Sequence, residues 1–178
     1  DGKSTSPYTE SSSPLPLSVY GNSKLAGEFL VRSVARKHFV VRTCGLYGRA
    51  GSRGKGGNFV ETMLKKARNG EAIQVVNDQV LTPTPTHDLA AQIAALITTD
   101  AYGLYHITSE GSCSWYEFAQ AIFELAAISA NLSPTTSALY KTPAIRPAYS
   151  VLENARLKAL GLNRMRHWRE GLAAYLRG

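Results

Sequence analysis

The sequence predicts an α/β fold with mainly parallel strands, and three observations carry that expectation. Short runs rich in β-branched residues, HFVVRT, AIQVV and GLYHIT, alternate with longer segments whose apolar residues recur at helical spacing. The 178 residues are 44% hydrophobic and 19% charged, the balance of a folded chain rather than a disordered or fibrous one. Neither an internal repeat nor a low-complexity tract divides the chain, so residues 1–178 read as one domain.

Residues 1–19 are rich in Ser, Thr and Pro and read as a long surface loop. From Tyr20 onward, SKLAGEFLVRSVARK places Leu25, Ala26, Phe29, Leu30 and Val34 on one helical face. HFVVRT, residues 38–43, reads as a short buried strand. The run CGLYGRAGSRGKGGN is a connection dense in glycine and basic residues, closed by Asn58 as an N-cap. A helix then turns Phe59, Val60, Met63, Leu64 and Ala67 inward and stops at Gly70. AIQVV is a strand, and NDQVLTPTPT is a loop punctuated by proline. HDLAAQIAALITT is a third helix with Leu89, Ile93, Ala94 and Ile97 as its buried stripe, followed by the strand GLYHIT. Ser114 and Glu117 have the spacing of a capping box, starting a helix with Trp115, Phe118, Ile122 and Leu125 inward. Residues 129–151, with Pro134, Pro143 and Pro147, wander over the surface with one short strand. Two short helices close the chain, one ending at Gly161 and one carrying Trp168, Leu172 and Leu176.

The net charge of +7 attracts phosphate, in a nucleic acid or a nucleotide-linked small molecule. Basic residues cluster at Arg49, Arg53 and Lys55, at Lys65, Lys66 and Arg68, and at Arg164, Arg166 and Arg169, with no nucleic-acid-binding motif around them. The expectation is the smaller partner and no nucleic acid. Cys44 and Cys113 stand far apart, and His38, His87, His106 and His167 are scattered, so no metal is expected and a reducing cytoplasm is the default. No apolar stretch approaches the roughly 20 residues of a membrane span, and no signal peptide is seen. The chain opens at Asp1 in a polar run, which reads as the middle of a longer polypeptide.

Tyr20 and Lys24 form Y-x-x-x-K at the start of a helix, and that separation puts both side chains on one face. An isolated phenol ionises near pH 10, whereas one positive charge about 4 Å away at an effective dielectric of 20 is worth about 4 kcal/mol. The pair suits a general acid that protonates a carbonyl oxygen while hydride arrives at carbon. By spacing alone the pattern is weak, and an ordinary surface pair fits it as well. Cys44 has no histidine partner in sequence and reads as a small buried cysteine. Asp78 and Glu153 read as solvated loop residues, and Trp115 as core.

The phrases VYGNSKLAGE, VRTCGLYG, GKGGNFVETML, VVNDQVLTPT, GLYHIT with CSWYEFA, and RPAYSVLEN occur in that order over almost the whole chain. Together they resemble the dTDP-4-dehydrorhamnose reductase family of extended short-chain dehydrogenase/reductases. The resemblance implies an oxidoreductase that uses NADPH, with NADH left open, to reduce the 4-keto group of a dTDP-linked 6-deoxyhexose. It implies Tyr20 as the general acid and Lys24 as the residue that acidifies it and holds the nicotinamide ribose. Thr43 and Cys44 then lie near the nicotinamide, while Asn58, Phe59 and Arg146 fall where the family contacts nucleotide-sugar. A guanidinium suits a diphosphate by its forked geometry.

Departures accompany the matches. Cys44 stands where the family often has Ser, Gly45 where many members have Trp, and Pro85 where an aromatic residue is common. The strand, Gly-rich turn and helix that cradle a cofactor pyrophosphate do not precede Tyr20. The resemblance therefore implies the C-terminal part of a Rossmann-type parallel sheet, joined to a nucleotide-sugar-binding subdomain, in a single incomplete domain that does not turn over substrate alone. Its expected partners are a dTDP-sugar and either a second copy or a missing N-terminal half, with no membrane. Two competing readings remain: a non-catalytic module like the regulatory subunit of a methionine adenosyltransferase, and a reductase or epimerase of another nucleotide sugar.

Overall fold

The computed structural model describes residues 1–51, 57–140 and 146–178. The expected roles of Arg53 and Lys55 in the glycine-rich connection, and of Pro143, lie outside the described residues. The fold is α/β, and three of the four strand pairs among the described residues are parallel.

Helix α1, Val19–Val34, leads into strand β1, Phe39–Arg42. β1 pairs in parallel with β6, Gly103–His106, so that Arg42 stands opposite His106. Strand β2, Leu46–Tyr47, is only two residues long, and helix α2, Phe59–Arg68, follows the connection. Asn58 caps α2 as expected, its Oδ1 accepting the Glu61 N–H at 3.1 Å, and Gly70 ends it with φ +69°. Strand β3, Ile73–Val76, pairs in parallel with β8, Leu132–Thr135. The proline-punctuated segment is not all loop: β4, Val80–Leu81, pairs antiparallel with β7, Cys113–Ser114, and β5, Thr84–Pro85, pairs with β2. Segments of two residues are too short to show a period in sequence.

Helix α3, Thr86–Leu96, is rotated from its expected face. Gln92 and Leu96 are buried, Leu89 and Ile93 half-buried, and Ala94 and Ile97 exposed. The polar Gln92 is buried because its amide donates to the Leu162 carbonyl at 3.1 Å and accepts the Arg164 N–H at 2.8 Å. Helix α4, Trp115–Leu125, has its full capping box: Ser114 N–H donates to Glu117 at 2.6 Å, and Glu117 N–H to Ser114 Oγ at 3.1 Å. Phe118 and Ile122 are buried, Trp115 is half-buried and Leu125 is exposed. Helices α5, Ala155–Ala159, and α6, Trp168–Arg177, close the chain.

Two apolar clusters result. The larger joins α2, β3, α4 and α6 around Phe118, whose ring lies 5.5 to 5.9 Å from those of Tyr47, Phe59 and Trp168. The smaller gathers Leu96, Tyr105, Ile107, Leu157 and Met165 between α3, β6 and α5. Helix α1 belongs to neither. It buries no residue, and Phe29, Leu30 and Val34 are 58%, 66% and 83% exposed, because no described element covers that face. No helix among the described residues is long and apolar enough to cross a membrane.

Candidate active site

Ser18 starts the site by accepting the Gly21 N–H on its hydroxyl at 3.1 Å, which fixes the first turn of α1. Tyr20 stands in that turn, largely exposed, and Lys24 stands one turn on. The lysine ammonium rests over the tyrosine ring, 5.4 Å from its centroid, so the pair meets on one face as its spacing requires. β1 delivers Thr43 and Cys44 to the same place. All four side chains line one groove of about 760 Å³, whose far wall is Tyr149 and Ser150.

The electrostatics of that groove are mixed. Thr43 Oγ1 is buried and has no hydrogen-bond partner among the described residues, so a donor is held ready at the groove wall. Cys44 is half-buried with its Sγ 3.4 Å from Ser150 Oγ. Burial pushes its thiol up from the ordinary value, and the hydrogen bonds with Ser150 and the Thr82 backbone pull only partly the other way. It remains a thiol at neutral pH rather than a nucleophile. Gly45 follows with φ +58°, and a Cβ there would stand 2.7 Å from the Thr82 carbonyl oxygen. The chain leaves β1 by a turn that a side chain would block.

A second groove, of about 450 Å³, lies against α2 and α4. Phe59 and Trp115 form its aromatic wall, with ring centroids 4.7 Å apart, and Lys66, Tyr140 and Arg146 supply its polar edge. Asp78 holds the segment that brings Tyr140 there, accepting from the Ser137 N–H at 2.9 Å and from its hydroxyl at 2.6 Å. The Ser137 hydroxyl holds the Asp78 carboxyl below its usual range. Arg146 lines this groove while Pro147, Tyr149 and Ser150, the next residues along, line the first, so one short segment borders both.

Phe59 and Arg146 therefore share a groove, and Tyr20, Lys24, Thr43 and Cys44 share another. Asn58 shares neither. Its amide donates to the Gly48 carbonyl at 2.8 Å and to the Tyr175 hydroxyl at 3.0 Å while its oxygen caps α2, so every polar group of the side chain is used inside the fold. Sequence reasoning missed Tyr149, Ser150 and Tyr140. They stand in irregular segments, where no periodicity marks which way a side chain faces.

The chain matches the family model described as the RmlD substrate binding domain over residues 1–178. It is 42% identical over 176 residues to the spore coat polysaccharide biosynthesis protein SpsK of Bacillus subtilis, covering 99% of this chain and 60% of that protein. It is 40% identical over 178 residues to the dTDP-4-dehydrorhamnose reductase of Streptomyces griseus, covering 96% and 57%. The crystal structure of dTDP-4-dehydrorhamnose reductase from Bacillus anthracis in complex with NADP superimposes with a TM-score of 0.93 at 40% identity, covering 99% of this chain and 61% of that one. The chain thus spans about three fifths of the length of the relatives it matches.

Proposed function

The chain belongs to the RmlD substrate binding domain family, and from that membership we propose that it carries the proton-donating helix and the nucleotide-sugar grooves of an NADPH-dependent reductase. The substrate is a dTDP-4-dehydro-6-deoxyhexose, and the product carries a hydroxyl where the 4-keto group stood. The carrying observation is the convergence of Tyr20, Lys24, Thr43 and Cys44 on one groove. Turnover belongs to the polypeptide in which this segment is joined to a nucleotide-binding half, in the cytoplasm.

Tyr20 gives its phenolic proton to the carbonyl oxygen as negative charge gathers there. The Lys24 ammonium, held against the tyrosine ring, stabilises the phenolate left behind. NADPH fits the first groove: Thr43, whose buried hydroxyl has no partner among the described residues, would offer it a hydrogen bond, and Lys24 would offer donors for ribose hydroxyls. When bound, the reduced nicotinamide supplies the hydride that reaches the carbonyl carbon. Cys44, kept as a thiol, adds shape rather than charge. In the second groove the flat faces of Phe59 and Trp115 suit a pyrimidine base, and Arg146 suits the diphosphate. Asn58 serves the same groove through the cap it places on α2.

The test joins this segment to its nucleotide-binding half and follows NADPH oxidation with the keto sugar. Tyr20→Phe is expected to lower kcat by about 100-fold or more, the usual worth of a positioned proton donor. Full activity in that variant overturns the reading. Binding is tested apart from turnover, as a thermal shift of the 178-residue chain with dTDP-, UDP- and GDP-sugars, of which the dTDP-sugar is expected to stabilise most.

A further inference from the structure

Helix α1 carries a third polar residue on the face of Tyr20 and Lys24. Glu28 lies one turn beyond Lys24, as Lys24 lies one turn beyond Tyr20. Its carboxylate is bonded elsewhere. Arg42, the last residue of β1, takes both oxygens in a fork, Nε to Oε1 at 2.7 Å and Nη2 to Oε2 at 2.6 Å. The two side chains are 20% and 17% exposed, so the pair is partly desolvated. Two features give this pair weight. α1 buries no residue, so no apolar core of the described chain sets its angle. Arg42 also directly precedes Thr43 and Cys44, and it lines the first groove together with Glu28.

We propose that Arg42 is a positioning residue for the reaction: by occupying Glu28 it leaves the Lys24 ammonium free to face Tyr20. The inference rests on the assignment of Tyr20 and Lys24 made above. With Arg42 gone, Glu28 is a free carboxylate one turn from a lysine whose four-carbon stem swings easily, and side chains at that separation pair. The ammonium then leaves the tyrosine ring. The other charged or titratable groups facing the cluster are already engaged or lie across the groove. Asp1 accepts from the Tyr8 hydroxyl and the Lys3 N–H. Glu10 accepts from the His106 and Arg156 N–H groups. His106 bonds to the Tyr8 carbonyl through Nδ1, Cys44 pairs with Ser150, and Tyr149 stands on the far wall.

The experiment compares Arg42→Gln, Arg42→Lys, Glu28→Gln and the Arg42→Gln, Glu28→Gln double variant in the reductase with its nucleotide-binding half joined. It measures kcat and KM over a range of pH with saturating NADPH. Arg42→Gln is expected to lower kcat about tenfold with little change in KM, and to move the pH profile of kcat. The double variant is expected to regain most of that loss, because the carboxylate that captures Lys24 is gone, and Arg42→Lys is expected to lose less than Arg42→Gln. A crystal structure of Arg42→Gln is expected to show Lys24 Nζ within about 4 Å of Glu28, ion-pair distance. A merely structural ion pair gives the opposite pattern, with Glu28→Gln as harmful as Arg42→Gln and the double variant no faster. That pattern, or Lys24 still over Tyr20 in the crystal, overturns the proposal. Should Arg42→Gln not fold, the double variant, which leaves no unpaired charge, decides: kcat within about threefold of wild type supports the proposal and a tenfold loss defeats it. Failure of the underlying assignment shows separately, as full activity in Tyr20→Phe.

Discussion

Asn154 closes both backbone groups of Thr108: its Oδ1 accepts the Thr108 N–H at 2.9 Å and its Nδ2 donates to the Thr108 carbonyl at 2.8 Å. Both residues are essentially inaccessible to water, at 1% and 0% exposure. The chain just beyond β6 has no strand partner there, and a side-chain amide stands in for one. Asn154→Ala strands a buried donor and a buried acceptor, with an expected cost of about 2–4 kcal/mol. Chemical denaturation checks this, and a change below about 0.5 kcal/mol, the range of ordinary surface substitutions, refutes it.

His106 makes stability depend on pH. It is 1% exposed, its Nδ1 faces the Tyr8 carbonyl at 3.0 Å, and its buried Nε2 makes no hydrogen bond among the described residues. Burial holds the imidazole below its ordinary value, and the Arg42 charge adds to this, against the pull of Glu10 and the Tyr8 and Glu153 carbonyls. A native value below the unfolded one means that the unfolded chain binds the proton first. The stabilisation is complete above about pH 6.5, the unfolded value, and is lost as pH falls through the native value. Melting temperature is expected to hold from pH 8 to 7 and fall toward pH 5. In His106→Gln the acid slope is expected to flatten; an unchanged slope counts against the assignment.

Gly45 is expected to resist substitution. Its φ of +58° and the 2.7 Å approach of a Cβ to the Thr82 carbonyl oxygen combine strain with a clash against backbone. Gly45→Ala is expected to cost about 1–3 kcal/mol, read as a lower melting temperature. Gly45→Trp is expected to cost more, since residues 82 and 83 must move. A neutral Gly45→Ala rejects this view of the turn.

The thiols are expected to be quiet. Burial pushes both Cys44 and Cys113 up from the ordinary thiol value. At pH 7 the native chain is expected to take up iodoacetamide far more slowly than free cysteine, and the unfolded chain to alkylate at both positions. Mass spectrometry after timed exposure gives the answer; rapid modification of native Cys44 argues against a buried thiol.

Much of the fold was legible in the sequence because local chemistry decided it. Ser114 with Glu117, Asn58 before Phe59, and Gly70 after Asn69 are start and stop signals that need only neighbouring backbone, and each stands where it was expected. The Tyr20–Lys24 pair belongs to the same class, since one helical turn brings the two together whatever surrounds them. Where distant segments supplied the partner, periodicity pointed the wrong way. Gln92 lies off the stripe of α3 predicted to be buried and is nevertheless buried, because residues 162–164 bring a carbonyl and an N–H to its amide. Phe29, Leu30 and Val34 share an apolar face of α1 and are exposed, because apolar spacing reveals that a face wants covering and not what covers it.

The sequence by itself determined the order of the helices and the longer strands, the caps at Asn58, Gly70 and Ser114, the family, and the face shared by Tyr20 and Lys24. Only the tertiary structure decided that Thr43 and Cys44 meet that face, that Arg146 and Tyr149 border neighbouring grooves, that the Asn58 amide is taken up by Gly48 and Tyr175, and that Arg42 holds Glu28. The division follows the reach of the forces. Propensity and capping act over three or four residues, whereas a groove forms only after the chain has closed contacts between residues more than a hundred positions apart, such as Cys44 and Ser150.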